Sequence, residues 1–203
     1  DSPDIPLNVS RSYLQTDASV RKISNHISKK VADKLVELFK DDRKAYEDKW
    51  ESIGVFVKYG TIRDNNFYER VKDALLYYTP GKEPTFYTIE EYKETFKEKH
   101  TDKDGTFVAL YATDGDAQYG AIATAEKVGY QPLLLDGILD MHLVNFLEGQ
   151  LEQTQFKRVD AGTLDELIDK GVEKTGKLNE DEEASLKTLL AEVTDKPEDL
   201  IKP

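Results

Sequence analysis

The chain has 203 residues, no cysteine, and 28 Lys/Arg against 40 Asp/Glu, a net charge of −12. That length holds one or two domains with a real core. The composition excludes disulfides and thiolate metal sites, and acidity on this scale opposes nucleic acid and anionic membrane.

In chain order, Pro3 and Pro6 come first. Each fixes φ and biases its preceding residue towards extended backbone, so 1–15 opens as a loop rather than a helix. Val20, Ile23, Ile27, Val31, Leu35 and Leu38 then recur at three- and four-residue spacing, which predicts a long helix of about six turns with one apolar stripe. Asp17 or Ser19 is placed to cap it. A second helix is predicted over 43–54, with Tyr46, Trp50 and Ile53 on one side. A third opens at Asp64 or Asn65 and carries Phe67, Val71 and Leu75. Together these read as a helical coil that ends at the Thr79-Pro80-Gly81-Lys82 turn.

The pattern then changes. Thr88-Ile89-Glu90-Glu91 has the form of a capping box, so a helix with Tyr92 and Phe96 follows. Segment 106–112 reads as a buried strand, 116–128 as a helix ended near Gly129, and 132–135 as a short strand. A helix over 138–151 and a strand over 155–159 complete the alternation, which predicts a small, partly parallel α/β layer. The tail from Gly162 reads as helical in two pieces and acidic: 160–203 holds thirteen Asp/Glu against six Lys/Arg, whereas 1–50 holds nine against ten. The fold class is therefore mixed, α/β with α+β character.

Most individual residues have plain readings. The three histidines, His26, His100 and His142, share no metal-type spacing and are assigned to surface or packing. Asp102-x-Asp104-Gly105 fails the calcium-loop count, because Phe107 and Thr113 stand where Gly and Glu are required. Asp114-Gly115-Asp116 is a turn leading into a helix cap. No metal site is expected. Asn8-Val9-Ser10 fits a glycosylation pattern that has no secretory signal beside it, and is taken as accidental. Helical spacing assigns Tyr46, Trp50, Phe56, Tyr59, Tyr77 and Tyr78 to the core before any binding surface.

Ser2-Pro3-Asp4-Ile5-Pro6-Leu7-Asn8-Val9-Ser10-Arg11-Ser12-Tyr13-Leu14-Gln15 resembles, nearly residue for residue, the middle-segment loop of the ninety-kilodalton heat-shock chaperones. Leu133-Leu134-Leu135-Asp136-Gly137 and Phe156-Lys157-Arg158-Val159-Asp160 are similar to the bacterial branch of that family. The resemblance covers residue 1 to about residue 160. It departs from the eukaryotic pattern at Ser12 and at Tyr77-Tyr78.

This resemblance implies a middle-domain piece of an ATP-driven chaperone. Arg11 would reach the γ-phosphate of ATP held, with Mg, by an upstream N-terminal domain, and Gln15 would make a polar contact near the same phosphate. Asn8 is open to two roles, positioning the loop and serving a turn or cap. Arg suits its role because its planar fork pairs with phosphate oxygens and keeps its charge. Three regions are implied: 1–79 as catalytic loop plus helical coil, 80–160 as a small α/β subdomain, and 161–203 as an acidic linker towards a C-terminal dimerisation domain.

The chain opens on Asp rather than Met and carries no phosphate cradle of the P-loop kind, so it reads as a piece without ATP hydrolysis or cofactor of its own. Partners implied are its own N- and C-terminal domains and unfolded or partly folded client proteins, with no nucleic acid and no membrane. The intact protein would be a cytoplasmic homodimer, and the isolated piece a monomer. Two alternatives remain at this point: a helical interaction scaffold without chemistry, and a small enzyme built on 83–160. The second would need polar groups converging at the carboxyl ends of the strands.

Overall fold

A computed structural model describes residues 18–171, 185, 186 and 188–190. The chain divides into two units, Asp1–Lys170 and Gly171–Pro203. In the second, 185, 186 and 188–190 are helical. The possible cap Asp17 lies outside the described residues.

Helix α1, Ala18–Asp41, is followed by α2, Arg43–Glu47, α3, Trp50–Arg63, and α4, Asn65–Val71. The stripe expected on α1 packs only in part, with Val20, Ile23 and Leu35 half-buried. Ala32 is fully buried and Leu35, Val36 and Phe39 line the core beside it, while Ile27, Val31 and Leu38 are exposed. Apolar content marks both rows of the helix, and contact with α4 selects the row containing the small Ala32.

The helix expected over 43–54 is broken at Asp48 and Lys49. Asp42 caps α2 through its carboxylate, which accepts the Ala45 N–H. The break lets Tyr46 and Trp50 both enter the core, with rings 5.8 Å apart. Asp64 caps α4 as expected, accepting the Asn66 N–H at 2.8 Å. That helix stops at Val71, however, and Leu75 is extended rather than helical. A 3-10 turn, Lys72–Ala74, leads through Leu75 and Leu76 to the first strand at Tyr77, and all three residues are buried.

The close approach of α3 to α4 depends on Gly60. A methyl group there would sit 2.7 Å from Cε1 of Phe67, a buried ring. Gly60→Ala should improve helix propensity by up to about 1 kcal/mol. Displacing a packed ring costs about 1–3 kcal/mol, so net destabilisation is expected. Urea titration checks the sign: a higher midpoint would mean that Phe67 moves freely.

Strands β1, Tyr77–Tyr78, and β2, Phe86–Tyr87, form a hairpin across the turn that the sequence reading placed at the end of the coil. Gly81 at φ +116 makes that connection. Helix α5, Ile89–His100, has the expected capping box between Thr88 and Glu91. Then follow β3, Phe107–Ala112, α6, Tyr119–Lys127, β4, Leu133–Leu134, α7, Asp140–Glu148, β5, Thr154–Arg158, and the short α8, Leu164–Leu167.

The sheet order is β2-β1-β4-β3-β5. β3 pairs in parallel with β4 and β5, and β1 pairs antiparallel with β2 and β4. The mixed fold and its partly parallel layer agree with the sequence reading. One buried cluster runs from Tyr46, Trp50 and Val57 through Leu76 and Tyr77 to Leu133 and Leu143, so helices and sheet share a core.

Candidate functional site

Asn8, Arg11 and Gln15 lie outside the described residues. What the structure does describe is the scaffold that follows them in sequence, and the surfaces it presents.

The scaffold is stapled by Arg43. Its Nη1 and Nη2 donate to the two carboxylate oxygens of Glu91 at 2.6 and 2.9 Å, its Nε donates to Glu47 at 2.7 Å, and Nη2 also donates to the Phe86 carbonyl at 3.2 Å. The guanidinium lies 4.7 Å from the Phe39 ring centre. One side chain thus ties α1, α2, β2 and α5 together. The hydrogen bond to Arg43 holds the Glu91 carboxyl below its usual range, and the same bond raises Arg43. Glu91 also closes the capping box by accepting the Thr88 N–H at 2.8 Å.

At the carboxyl ends of β3 and β4 there is an open cleft of about 680 Å³, with Lys82, Asp114, Asp116, Tyr119 and Asp136 on its walls. Two of its carboxylates, Asp114 and Asp136, serve local structure. Asp114 accepts the N–H groups of Asp116 and Ala117, which makes the expected turn into α6. Gln118 accepts those of Thr113 and Asp114, and Asp136 accepts the Tyr78 hydroxyl at 2.7 Å. No serine, cysteine or histidine lines the cleft. Asp102 likewise accepts the N–H groups of Asp104 and Thr106, as a turn residue does.

The aromatic residues divide in a way that helical spacing alone did not reveal. Tyr46, Trp50 and Tyr77 are buried and Tyr78 is half-buried, but Phe56 is 74% and Tyr59 56% exposed on α3, next to Val55. A further apolar group stands at the start of α7, where Ile138 is 86% exposed and Met141 is also exposed. The elements carrying these residues are joined by an ion pair that sequence reasoning missed. Lys58 Nζ donates to Asp140 Oδ1 at 2.5 Å, with both side chains almost wholly buried. Asp140 Oδ2 accepts the Gly137 N–H at 2.9 Å, which fixes the turn presenting Ile138. A lysine in the same helical row as Trp50, Gly54 and Thr61 was the available signal.

His26 and His142 are exposed, whereas His100 is fully buried within an aromatic cluster. Among the described residues no helix is long and apolar enough to cross a membrane.

Comparison with known proteins agrees with this architecture. The family model described as "Hsp90 protein" matches residues 1–202. "Chaperone protein HtpG" of Porphyromonas gingivalis is 50% identical over 93% of this chain and 27% of the relative's own length. The Bacteroides thetaiotaomicron protein of the same name is 46% identical over 93% of the chain and 27% of its own length. In Bacillus subtilis the protein of that name is 31% identical over 100% of the chain and 31% of its own length. The chain thus spans about a quarter of the length of the curated relatives at 46–50% identity. Among solved structures, the middle domain of a Plasmodium falciparum heat shock protein superposes with a TM-score of 0.55. It covers 72% of this chain and 61% of that one, and at 14% identity it speaks for the fold alone. With a family model matched along nearly its whole length, the chain belongs to the Hsp90 protein family.

Proposed function

We propose that the chain is the middle segment of an ATP-dependent molecular chaperone, one that completes an ATPase site in another domain and offers surface to client proteins. The observation that carries this reading is the match of Ser2–Gln15 to the family's loop, inside a family match over residues 1–202. Arg11 extends its guanidinium to the γ-phosphate of ATP, the substrate held with Mg by the N-terminal domain, and stabilises charge on the transferred phosphoryl group. Gln15 contacts the same phosphate or its attacking water, and Asn8 positions the loop. The working form is a cytoplasmic homodimer built through a C-terminal domain, active in the heat-shock response. The test is steady-state ATP hydrolysis by the full-length protein with Arg11→Ala: lost turnover at unchanged ATP affinity supports the reading, and unchanged turnover leaves a scaffold without chemistry.

Clients are unfolded or partly folded chains, and the exposed aromatic pair Phe56 and Tyr59 suits them. Rings one helical turn apart give apolar contact at low entropic cost and do not demand one sequence. A Phe56→Ser, Tyr59→Ser double variant should bind a model unfolded protein about five- to tenfold more weakly, roughly 1–1.4 kcal/mol. Thermal stability should stay within about 0.5 kcal/mol, since both side chains face water. Unchanged affinity in fluorescence anisotropy would move the client surface elsewhere.

A further inference from the structure

His100 ends α5 and is fully buried. Its Nε2 accepts the backbone N–H of Gln131 at 3.1 Å, so in this arrangement the ring proton resides on Nδ1, which donates to the Val108 carbonyl at 2.8 Å. One neutral imidazole therefore joins the end of α5 to β3 and to the segment between α6 and β4. Tyr92 reinforces the last link, its hydroxyl donating to the Gln131 carbonyl. The ring stacks on Phe107 at 5.6 Å and meets Tyr92, Phe96 and Tyr130 edge-on or tilted.

We propose that His100 is an acid-operated latch: unprotonated, it holds segment 128–131 against the end of α5, and protonation at Nε2 releases that segment. A proton on Nε2 would aim an N–H at the Gln131 N–H, and two donors cannot satisfy one another. The Val108 carbonyl still accepts from Nδ1, but the new proton on Nε2 faces a donor rather than an acceptor. Around the ring, α5 contributes the Tyr92 hydroxyl and, on its last turn, the exposed Lys97, Glu98 and Lys99. β3 contributes Phe107 and Val108, neither of which titrates. Segment 128–131 contributes Tyr130 and Gln131, the latter tied by its side chain to Glu126 of α6. Beyond α8, Lys170 donates to the Glu98 and Thr101 carbonyls, and its charge opposes a second cation. Burial first, and Lys170 after it, push the imidazole down to about 4 against the partial support of the Val108 carbonyl.

The sign follows from that depression. Closed, the ring stays neutral until the pH approaches 4; open, it takes a proton below its ordinary value of about 6.5. Opening therefore becomes about tenfold easier for each pH unit between those limits, and the latch is closed above about pH 6.5.

The test is amide hydrogen exchange on the 203-residue chain, each rate divided by its intrinsic rate at that pH. Between pH 6.5 and 4.5 the opening constant of the Gln131 amide should rise about fortyfold, while amides of α3 such as Val57 change much less. His100→Phe, which has no proton to gain, should flatten the response at Gln131. Unchanged Gln131 protection overturns the proposal, as does an equal loss across α3, which would mean global acid unfolding. If His100→Phe does not fold, nitrogen NMR of the wild-type ring decides. An Nδ1–H tautomer that persists to pH 5 supports the latch, and a ring that titrates while Gln131 stays protected overturns it.

Discussion

ATP turnover of the full-length protein is expected to fall tenfold or more on Arg11→Ala, with ATP affinity little changed. Tenfold corresponds to about 1.4 kcal/mol of lost transition-state stabilisation. An arginine aimed at a transferred phosphoryl group contributes about a thousandfold or more in fast systems, which sets the upper end of the range. The split between turnover and affinity is the informative part. An arginine that pairs with charge developing in the transition state changes turnover, whereas one that only helps to hold ATP changes affinity. Arg11→Lys sharpens the comparison, because it keeps the charge but loses the planar fork. If bidentate geometry matters, the lysine variant should fall between wild type and alanine. Should both variants turn over ATP at the wild-type rate, Arg11 is structural and the chain is a scaffold.

Legibility from sequence followed the physics of each element. The Thr88–Glu91 capping box could be read directly because its two hydrogen bonds are local. β3 could be read because a central strand buried on both faces is a continuous apolar run. β1 and β2 could not: each is two residues long, and Leu75-Leu76-Tyr77-Tyr78 has no periodicity that separates a helix end from a strand start. On α1 the pattern found the helix and part of its packed face, including Leu35, but missed Ala32, since tertiary contact decides between Ala32 and Ile27. Phe56 and Tyr59 were grouped with the core for the same reason: spacing marks aromatic residues without saying which of two faces meets a neighbour. Lys58 and Asp140 stand 82 positions apart, and nothing local announces their pairing. The role proposed for Arg11 rests on resemblance alone, because an isolated arginine is by itself an ordinary surface residue.

Asp140→Ala is expected to destabilise the fold by about 3–5 kcal/mol, a large share of what a domain of this kind possesses. Asp140 is inaccessible and the Lys58 side chain is 9% exposed, so removing the carboxylate strands an ammonium in the core rather than returning it to water. The same change also orphans the Gly137 N–H, which Asp140 accepts at 2.9 Å. Asp140→Asn should cost less, because the amide oxygen still takes one of the two hydrogen bonds. Replacing both partners, Lys58→Met with Asp140→Leu, removes the charges together and should recover most of the loss, since buried ion pairs are often no more stable than apolar side chains of similar volume. Urea titration of the wild type, Lys58→Met, Asp140→Leu and the double variant gives the coupling directly, provided the slope of each transition is unchanged. A cost below about 1 kcal/mol for Asp140→Ala would mean that water reaches the pair. The double variant has a second use. It keeps α3 packed on α7 but cuts the tie that fixes the turn at Gly137, so the geometry at Ile138 should loosen while stability is retained. A fall in client affinity with an unchanged urea midpoint would then show that the ion pair serves to present surface as well as to hold the fold.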